Sequence, residues 1–119
     1  MSIRLGGYSF RGPYKTTSEI KNLSGIYAVI REINGEYFLY DVGESCELRT
    51  AIESNNAIYL KKNSIGKIAL YVRYTPFLTF QKRTMIERKL NEIFQPPWRR
   101  YRLESNSRLI PSNNNFIRN

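Results

Sequence analysis

The sequence predicts an α/β domain with a small three-stranded, mostly antiparallel sheet flanked by helices. Three runs rich in β-branched and aromatic residues predict the strands, at Gly25–Ile33, Glu36–Val42 and Ile68–Thr75. The pair Asn34-Gly35 separates the first two runs and suits the positive φ angles of a tight hairpin turn. These two strands are therefore expected to pair antiparallel, with the third beside them.

Two helices are expected around this sheet. Leu48 and Ile52, one helical turn apart, predict a short helix over Cys46–Glu53, and the preceding serine can cap it. Apolar residues spaced three and four apart predict a longer helix over Thr79–Gln95, which Pro96-Pro97 ends. The order hairpin, helix, strand, helix is typical of an α/β domain.

The two ends of the chain carry weaker signals. Gly6-Gly7 and Gly12-Pro13 predict turns, and a short helix is expected around Ser18–Leu23. The C-terminal residues are rich in Asn and Ser, which gives little reason to expect a packed element there. The sequence is therefore divided into a domain over residues 1–97 and a loosely held basic extension over residues 98–119.

The composition restricts both the partner and the chemistry. Nineteen Lys and Arg against ten Asp and Glu give a formal charge of +9, which favours a polyanion such as DNA; a basic protein without such a partner is the alternative. The absence of histidine excludes Ser-His-Asp and Cys-His catalysis, so a metal ion would be bound mainly by oxygen. A single cysteine and the lack of a signal or membrane-spanning run indicate a cytoplasmic protein that binds no membrane.

A series of short motifs follows the predicted elements in order. Gly25-Ile26-Tyr27 opens the first strand, Asp41-Val42-Gly43 closes the second, Tyr74-Thr75-Pro76 ends the third, and Arg83-x-x-Ile86-Glu87-x-x-Leu90 lies in the long helix. Over roughly Phe10 to Pro97 the sequence resembles the GIY-YIG nuclease family. The resemblance implies a three-stranded antiparallel sheet flanked by helices, and hydrolysis of a nucleic-acid phosphodiester that depends on Mg²⁺ or Mn²⁺.

The resemblance also assigns two functional residues. The first signature tyrosine of the family falls on Tyr27, which is expected to activate or position the attacking water. The metal-binding glutamate falls on Glu87, whose hard oxygen atoms suit Mg²⁺. From the residues alone, Tyr27 is better explained as a core or sheet-face tyrosine, a preference that the resemblance reverses, and Glu87 can be a surface carboxylate paired with Arg83 one turn earlier.

The sequence departs from the family pattern at three positions. Asp41 replaces the second signature tyrosine; Tyr40 lies one residue earlier and faces the other side of the strand unless a bulge intervenes. Ala51 replaces the catalytic arginine, and Arg49 is rotated away from that position by nearly half a helical turn. Asn55 occupies a position where the family often has another polar residue.

These departures leave two functions open. The chain is expected to be a DNA endonuclease whose arginine contribution is missing, either by natural degeneration or because an alanine was introduced to inactivate it. The alternative is a non-catalytic domain that binds nucleic acid or another protein. Since the chain is small, a homodimer or a protein partner is a candidate source of specificity.

Five arginines are the candidates for contacts to nucleic acid. Three of them alternate with aromatic rings in the segment from Trp98 to Arg102, which suits phosphate contacts and base stacking, although Trp98 and Tyr101 could instead pack on the core. The five are Arg49, Arg83, Arg99, Arg100 and Arg102.

Overall fold

The computed structural model describes residues 2–34, 36–54, 67–94, 100–103 and 108–111. Within these residues the chain forms seven strands, two α-helices and one turn of 3₁₀ helix. In chain order the elements are β1 (Ser2–Leu5), β2 (Tyr8–Tyr14), the 3₁₀ turn (Thr17–Glu19), β3 (Gly25–Ile33), β4 (Glu36–Ser45), α1 (Leu48–Ser54), β5 (Lys67–Tyr74), α2 (Phe80–Phe94), β6 (Arg100–Leu103) and β7 (Leu109–Pro111).

All the described strands belong to one sheet in the order β1-β2-β5-β3-β4-β6-β7. The three predicted strands are present, neighbouring and antiparallel, with β3 between β5 and β4. The prediction of a three-stranded sheet is nevertheless wrong. The main antiparallel sheet has five strands, β1 to β5, and the short strands β6 and β7 extend it beyond β4.

The N-terminal hairpin was missed because its sequence is interrupted. β1 and β2 pair antiparallel from Ser2–Arg11 to Leu5–Tyr8, with Gly6 and Gly7 at positive φ in the turn. The signal at Gly12 was interpreted as a turn, but this residue lies inside β2, where the register with β5 shifts between Arg11 and Tyr14. A glycine inside a strand commonly marks such an irregularity.

The C-terminal extension also contributes to the sheet, contrary to the expectation that it holds no packed element. β6 pairs with β4 at Tyr37 and Phe38, and β7 pairs with β6. The two edges of the sheet approach each other, because an isolated bridge joins Arg4 in β1 to Arg108 just before β7. The sheet therefore curls into a half-barrel.

Successive residues of β3 face two different cores, because strand side chains alternate. Ile26, Ala28 and Ile30 face a cluster that includes Leu90 and Phe94 of α2. Tyr27 and Val29 face a second cluster on the opposite side of the sheet, with Leu48 and Ile52 of α1. Each helix therefore covers its own face of the sheet.

The helices lie close to their predicted positions. α1 begins at Leu48, two residues later than predicted, because β4 continues through Gly43 to Ser45. α2 covers the predicted long helix, and the predicted N-terminal helix shortens to the 3₁₀ turn. Neither described helix is long and apolar enough to cross a bilayer.

Candidate functional site

A β-bulge lies in β4 at the position where the sequence departs from the family signature. Val29 pairs with Asp41, whereas the next residue of β3, Ile30, pairs with Leu39, so Tyr40 is the extra residue. The bulge brings Tyr40 to the α1 side of the sheet, where it packs against the cluster that contains Val29. Asp41 is opposite Val29 and is assigned to the same side by its register. The structure thus contains the bulge that Tyr40 needed to approach position 41.

Tyr27 lies in the packed part of this face. Its side chain is 6% exposed, and its Cα is paired with Gly43 across the β3–β4 ladder. A Cβ atom at Gly43 would lie 2.5 Å from both Cζ and the hydroxyl oxygen of Tyr27. The signature glycine therefore has a direct steric role, because only a hydrogen atom at position 43 leaves room for the tyrosine ring.

The first signature glycine has a similar role. A Cβ atom at Gly25 would collide with the carbonyl oxygen of Arg73 in β5 and would lie 2.7 Å from Cδ1 of Leu48 in α1. Gly25 thus allows β5 and α1 to approach the start of β3. Packing alone accounts for a glycine at both positions.

Ala51, at the position of the family arginine, is half-buried on α1. It follows Leu48 by three residues and precedes Ile52, both of which are buried against the Tyr27 face. Arg49 was expected to point away from this position, and its Nε donates a 2.7 Å hydrogen bond to the carbonyl oxygen of Ile20. Arg49 therefore holds α1 against the segment that precedes β3.

The other helix carries an ion pair that the sequence did not predict. Nε of Arg83 donates to Oε1 of Glu44 at 3.0 Å, and Nη1 of Arg83 donates to the carbonyl oxygen of Leu78 at 3.1 Å. The two charged side chains are only 9% and 16% exposed. The structure thus pairs Arg83 with Glu44 of β4, and not with Glu87 one turn along the helix.

Glu44 was missed because β4 was predicted to end at Val42. The alternation of strand side chains is the signal that could have identified it, since Val42 and Glu44 both face α2. With the strand extended by two residues, an acidic side chain opposite the arginine-bearing helix is a natural partner for Arg83.

Glu87 is half-buried on α2, near two other carboxylates. Burial raises the pKa of Glu87 above its usual value, the charges of Glu44 and Asp41 raise it further, and Arg88 lowers it. Oδ1 of Asp41 accepts a 2.9 Å hydrogen bond from the backbone N–H of Val42. Glu87, Glu44 and Asp41 therefore form an acidic cluster around the end of β4, in which Arg83 pairs with Glu44 and the charge of Arg88 acts on Glu87.

The sheet separates the predicted site residues into two groups. Tyr27, Asp41 and Ala51 belong to the α1 face, whereas Glu87 extends from α2 on the other face. The groups approach each other at the end of β4, where Asp41 is close enough to influence the carboxyl of Glu87. Among the described strands, β6 pairs with β4 only at Tyr37 and Phe38, which leaves this end of β4 as the edge of the sheet.

The acidic cluster can bind a divalent cation only through a single carboxylate ligand. No group of three or more acidic or thiol side chains in the described part of the chain is placed to hold a metal ion by itself. A single carboxylate, Glu87, can still bind Mg²⁺ when water and phosphate oxygens complete the coordination. The charges of Glu44 and Asp41, which raise the pKa of Glu87, also favour a cation at this position.

The other predicted site residues either lie outside the described residues or are placed only by the pairing of their backbone. Asn55 and Arg99 lie outside the described residues. Arg100 and Arg102 belong to the backbone ladder of β6, with Arg100 paired to Phe38 and Arg102 to Ile110.

No protein-family model, curated protein or solved structure matches this chain.

Proposed function

We propose that this chain is a DNA-binding domain of the GIY-YIG nuclease type, a metal-dependent DNA endonuclease whose cleavage is limited by the alanine at position 51. The observation that carries the proposal is the half-buried carboxylate of Glu87 next to Glu44 and Asp41. Carboxylates this close together repel one another, and Arg83 and Arg88 offset only part of the effect on Glu87, whose pKa stays raised. A cation bound at Glu87 would offset their mutual repulsion.

The order and placement of the elements support the proposal. The signature residues Gly25 to Tyr27 and Asp41 to Gly43 lie on adjacent antiparallel strands, with Tyr27 directly opposite Gly43. Tyr27 and Asp41 lie on the α1 side of this pair, and Glu87 extends from α2 on the other side, close enough for the charge of Asp41 to act on it. This arrangement brings a phenol and carboxylates to one end of two strands.

Each of these residues has a defined task in phosphodiester hydrolysis. Glu87 would hold Mg²⁺ or Mn²⁺, which supplies Lewis-acid stabilisation of the phosphoryl oxygens when bound. Tyr27 would position water or accept its proton, and Asp41 adds negative charge beside it. The alanine at position 51 supplies no positive charge to stabilise the negative charge that develops on the phosphate, so slow turnover is expected.

A second candidate is a non-catalytic domain that binds nucleic acid. The contacts of two arginines favour it, because Arg49 donates to the carbonyl of Ile20 and Arg83 to Glu44. Both arginines are thus held by protein groups, and the alanine at position 51 adds no positive charge for a phosphate. The two candidates share DNA binding and differ in whether Glu87 binds metal and supports cleavage.

Metal binding at Glu87 is tested by thermal unfolding with and without Mg²⁺ or Mn²⁺. A ligand that binds only the folded state stabilises it by about 2.7 kcal/mol at a concentration of about 100 times Kd. The melting temperature of the parent protein is therefore expected to rise with metal, whereas that of Glu87→Gln stays constant. Glu92→Gln, an exposed site on the same helix, serves as the matched control and should respond like the parent.

The raised pKa of Glu87 is tested with the same variants, by comparing their melting temperatures at different pH in the absence of metal. Because the folded protein raises the pKa of Glu87, the stability associated with its protonated form is present below the unfolded pKa and is lost as pH rises through the folded pKa. Glu87→Gln is thus expected to melt above the parent at pH 7 and to match it at acidic pH. A metal response retained in Glu87→Gln would overturn the assignment of the ligand.

A further inference from the structure

Two hollows lie along α2 beside the N-terminal hairpin, away from the acidic cluster, and are together called the groove. Its first part has a volume of about 430 Å³ and is lined by Tyr8, Leu78, Lys82, Met85, Ile86 and Lys89. A second part, of about 300 Å³, lies further along the same helix, between Ile93 and the hairpin turn at Gly6 and Gly7. The two parts follow one another along α2.

One face of α2 lines both parts. Lys82, Met85, Lys89 and Ile93 are spaced by three, four and four residues, which places them on the same side of the helix. Glu87 lies two residues from Met85 and so faces nearly the opposite direction. The groove is therefore distinct from the candidate metal site.

The floor of the groove exposes apolar surface to water. Met85 is 64% exposed and Ile93 is 41% exposed, and Phe77, which precedes the lining residue Leu78, is 96% exposed. Apolar side chains that adjoin one another on the surface commonly mark a site of interaction. This apolar strip follows a helix whose inner face is already filled by Leu90 and Phe94.

The rim of the groove is positively charged. Lys82 and Lys89 line its first part, and Arg4 and Arg108 line the second, whereas neither lining set contains an acidic residue. The ring of Tyr8 adds an aromatic surface that two cations approach, the Arg73 guanidinium at 5.4 Å and the Lys89 ammonium at 5.7 Å from its centroid. An apolar floor with a cationic rim complements a ligand that has flat apolar faces and regularly spaced negative charges.

We propose that this groove binds a single-stranded segment of nucleic acid, with unstacked bases against Tyr8 and Met85 and phosphates beside Lys82 and Lys89. In a regular duplex the base faces are covered by stacking, so a duplex could use the rim but not the floor. The inference rests on the proposed function for its choice of nucleic acid as the partner. It deepens that proposal by naming DNA with a single-stranded segment as the substrate class.

The test compares Met85→Glu with Ser18→Glu, two substitutions that add one negative charge at exposed positions. Ser18 belongs to the 3₁₀ turn, which contacts α1 through the 2.8 Å hydrogen bond between Thr17 and Glu53, on the opposite side of the sheet from α2. The probes are a fluorescent oligothymidylate of about 12 nucleotides, within the site size of single-strand-binding folds, a duplex of the same length and an abasic strand with the same phosphates. Affinity is measured by anisotropy at one fixed salt concentration.

Met85→Glu is expected to weaken oligothymidylate binding by about tenfold or more, since loss of one base stack has an effect of that size. The affinity of Met85→Glu for the duplex should change by less than about threefold, because duplex binding depends on phosphate contacts spread over the surface. The affinity of Ser18→Glu for every probe should also change by less than about threefold. With the abasic strand, the difference between Met85→Glu and the parent should nearly disappear. Met85→Leu should bind like the parent.

Two results would overturn the proposal. One is an equal loss of affinity in Met85→Glu and Ser18→Glu, which would show a general effect of charge. The other concerns competition with the labelled oligothymidylate. If polyglutamate of equal charge displaces it at the same concentration as unlabelled oligothymidylate does, the groove is a general site for acidic chains. Neither result affects the expected metal response of Glu87. If the parent protein binds neither single strand nor duplex at low salt, nucleic acid is excluded as the partner, and both proposals fail.

Discussion

At the scale of single residues, the contact between Tyr27 and Gly43 connects the signature motif to the packing of the sheet. The tyrosine ring occupies the space above Gly43, and the glycine leaves that space open by having no side chain. A pattern of this kind arises from sterics whether or not the tyrosine takes part in a reaction. Stability measurements can therefore test the contact separately from activity.

Gly43→Ala is expected to destabilise the protein by about 1 to 3 kcal/mol, the usual cost of adding volume to a packed site. The new Cβ atom would lie 2.5 Å from the hydroxyl oxygen of Tyr27, so the ring or the strand must shift. Urea denaturation of Gly43→Ala, Tyr27→Ala and the double variant measures the coupling between the two positions. If the alanine costs as much without the tyrosine ring as with it, the ring is not what restricts position 43.

The sequence predicted the residues near Asp41 but not their directions. It showed that Tyr40 requires a bulge to face the same side as position 41, and the structure contains that bulge. Whether a bulge forms depends on how two strands pair along their whole length, which the local sequence does not specify. Glu44 was missed for a related reason, because the end of β4 is set by its pairing with Gly25 and Ile26.

At the scale of the elements, the ion pair between Arg83 and Glu44 joins α2 to β4. Both side chains are largely buried, and Arg83 also donates to the carbonyl oxygen of Leu78 at the start of the helix. A buried ion pair costs desolvation to form, so its net contribution is small, but removal of one partner leaves an unpaired buried charge. The pair is thus expected to specify how α2 sits on the sheet.

Arg83→Met is expected to destabilise the protein by about 3 kcal/mol or more, because Glu44 is left buried without its partner. The double variant Arg83→Met and Glu44→Leu should recover most of this loss, since both charges are then removed. Chemical denaturation gives the free energies, and anisotropy gives DNA binding. An Arg83→Met protein with parental stability and weakened DNA binding would instead assign Arg83 to nucleic acid, as the sequence suggested.

The elements themselves were predictable where the local pattern is long and regular. α2 and the β3–β4 hairpin follow from an apolar stripe and from a tight turn in which Asn34 has a φ of 52°. The strands β1, β2, β6 and β7 were not predicted, because they are short or contain glycine or proline. Such segments become strands through pairing with neighbours in the sheet, and this is a tertiary effect.

At the scale of the whole molecule, the curled sheet places the two proposed binding regions on different sides of α2. Glu87 approaches the end of β4, and the groove lies between α2 and the N-terminal hairpin. The hairpin that forms one wall of the groove is part of the structure that the sequence did not predict. This is why the acidic site could be proposed from motifs, whereas the groove required the fold.

The topology of the whole sheet explains why the candidate site residues are divided between two faces. The motifs order Tyr27, Asp41, Ala51 and Glu87 along the chain, but only the topology shows that the sheet lies between Ala51 and Glu87. A phosphate bound at the end of β4 would need groups from both faces to reach it. Under the proposed function, a cation at position 51 would be the contribution of the α1 face.

The most direct test of this account is metal-dependent DNA cleavage by Ala51→Arg. Alanine and arginine are both good helix formers, and Ala51 is half-buried on a helix, where a long side chain can extend towards the edge. One restored charge-stabilising group is expected to raise the cleavage rate by about two orders of magnitude or more. Ala51→Met controls for side-chain length without charge and should cleave like the parent.

The assay uses single-stranded, double-stranded and branched DNA with Mg²⁺ or Mn²⁺, and includes the double variant Ala51→Arg and Glu87→Gln. The account predicts that Ala51→Arg cleaves far faster than the parent and that Glu87→Gln removes this gain. An Ala51→Arg protein that folds and binds DNA but cleaves no faster than the parent would contradict it, and would place the non-catalytic binding domain ahead.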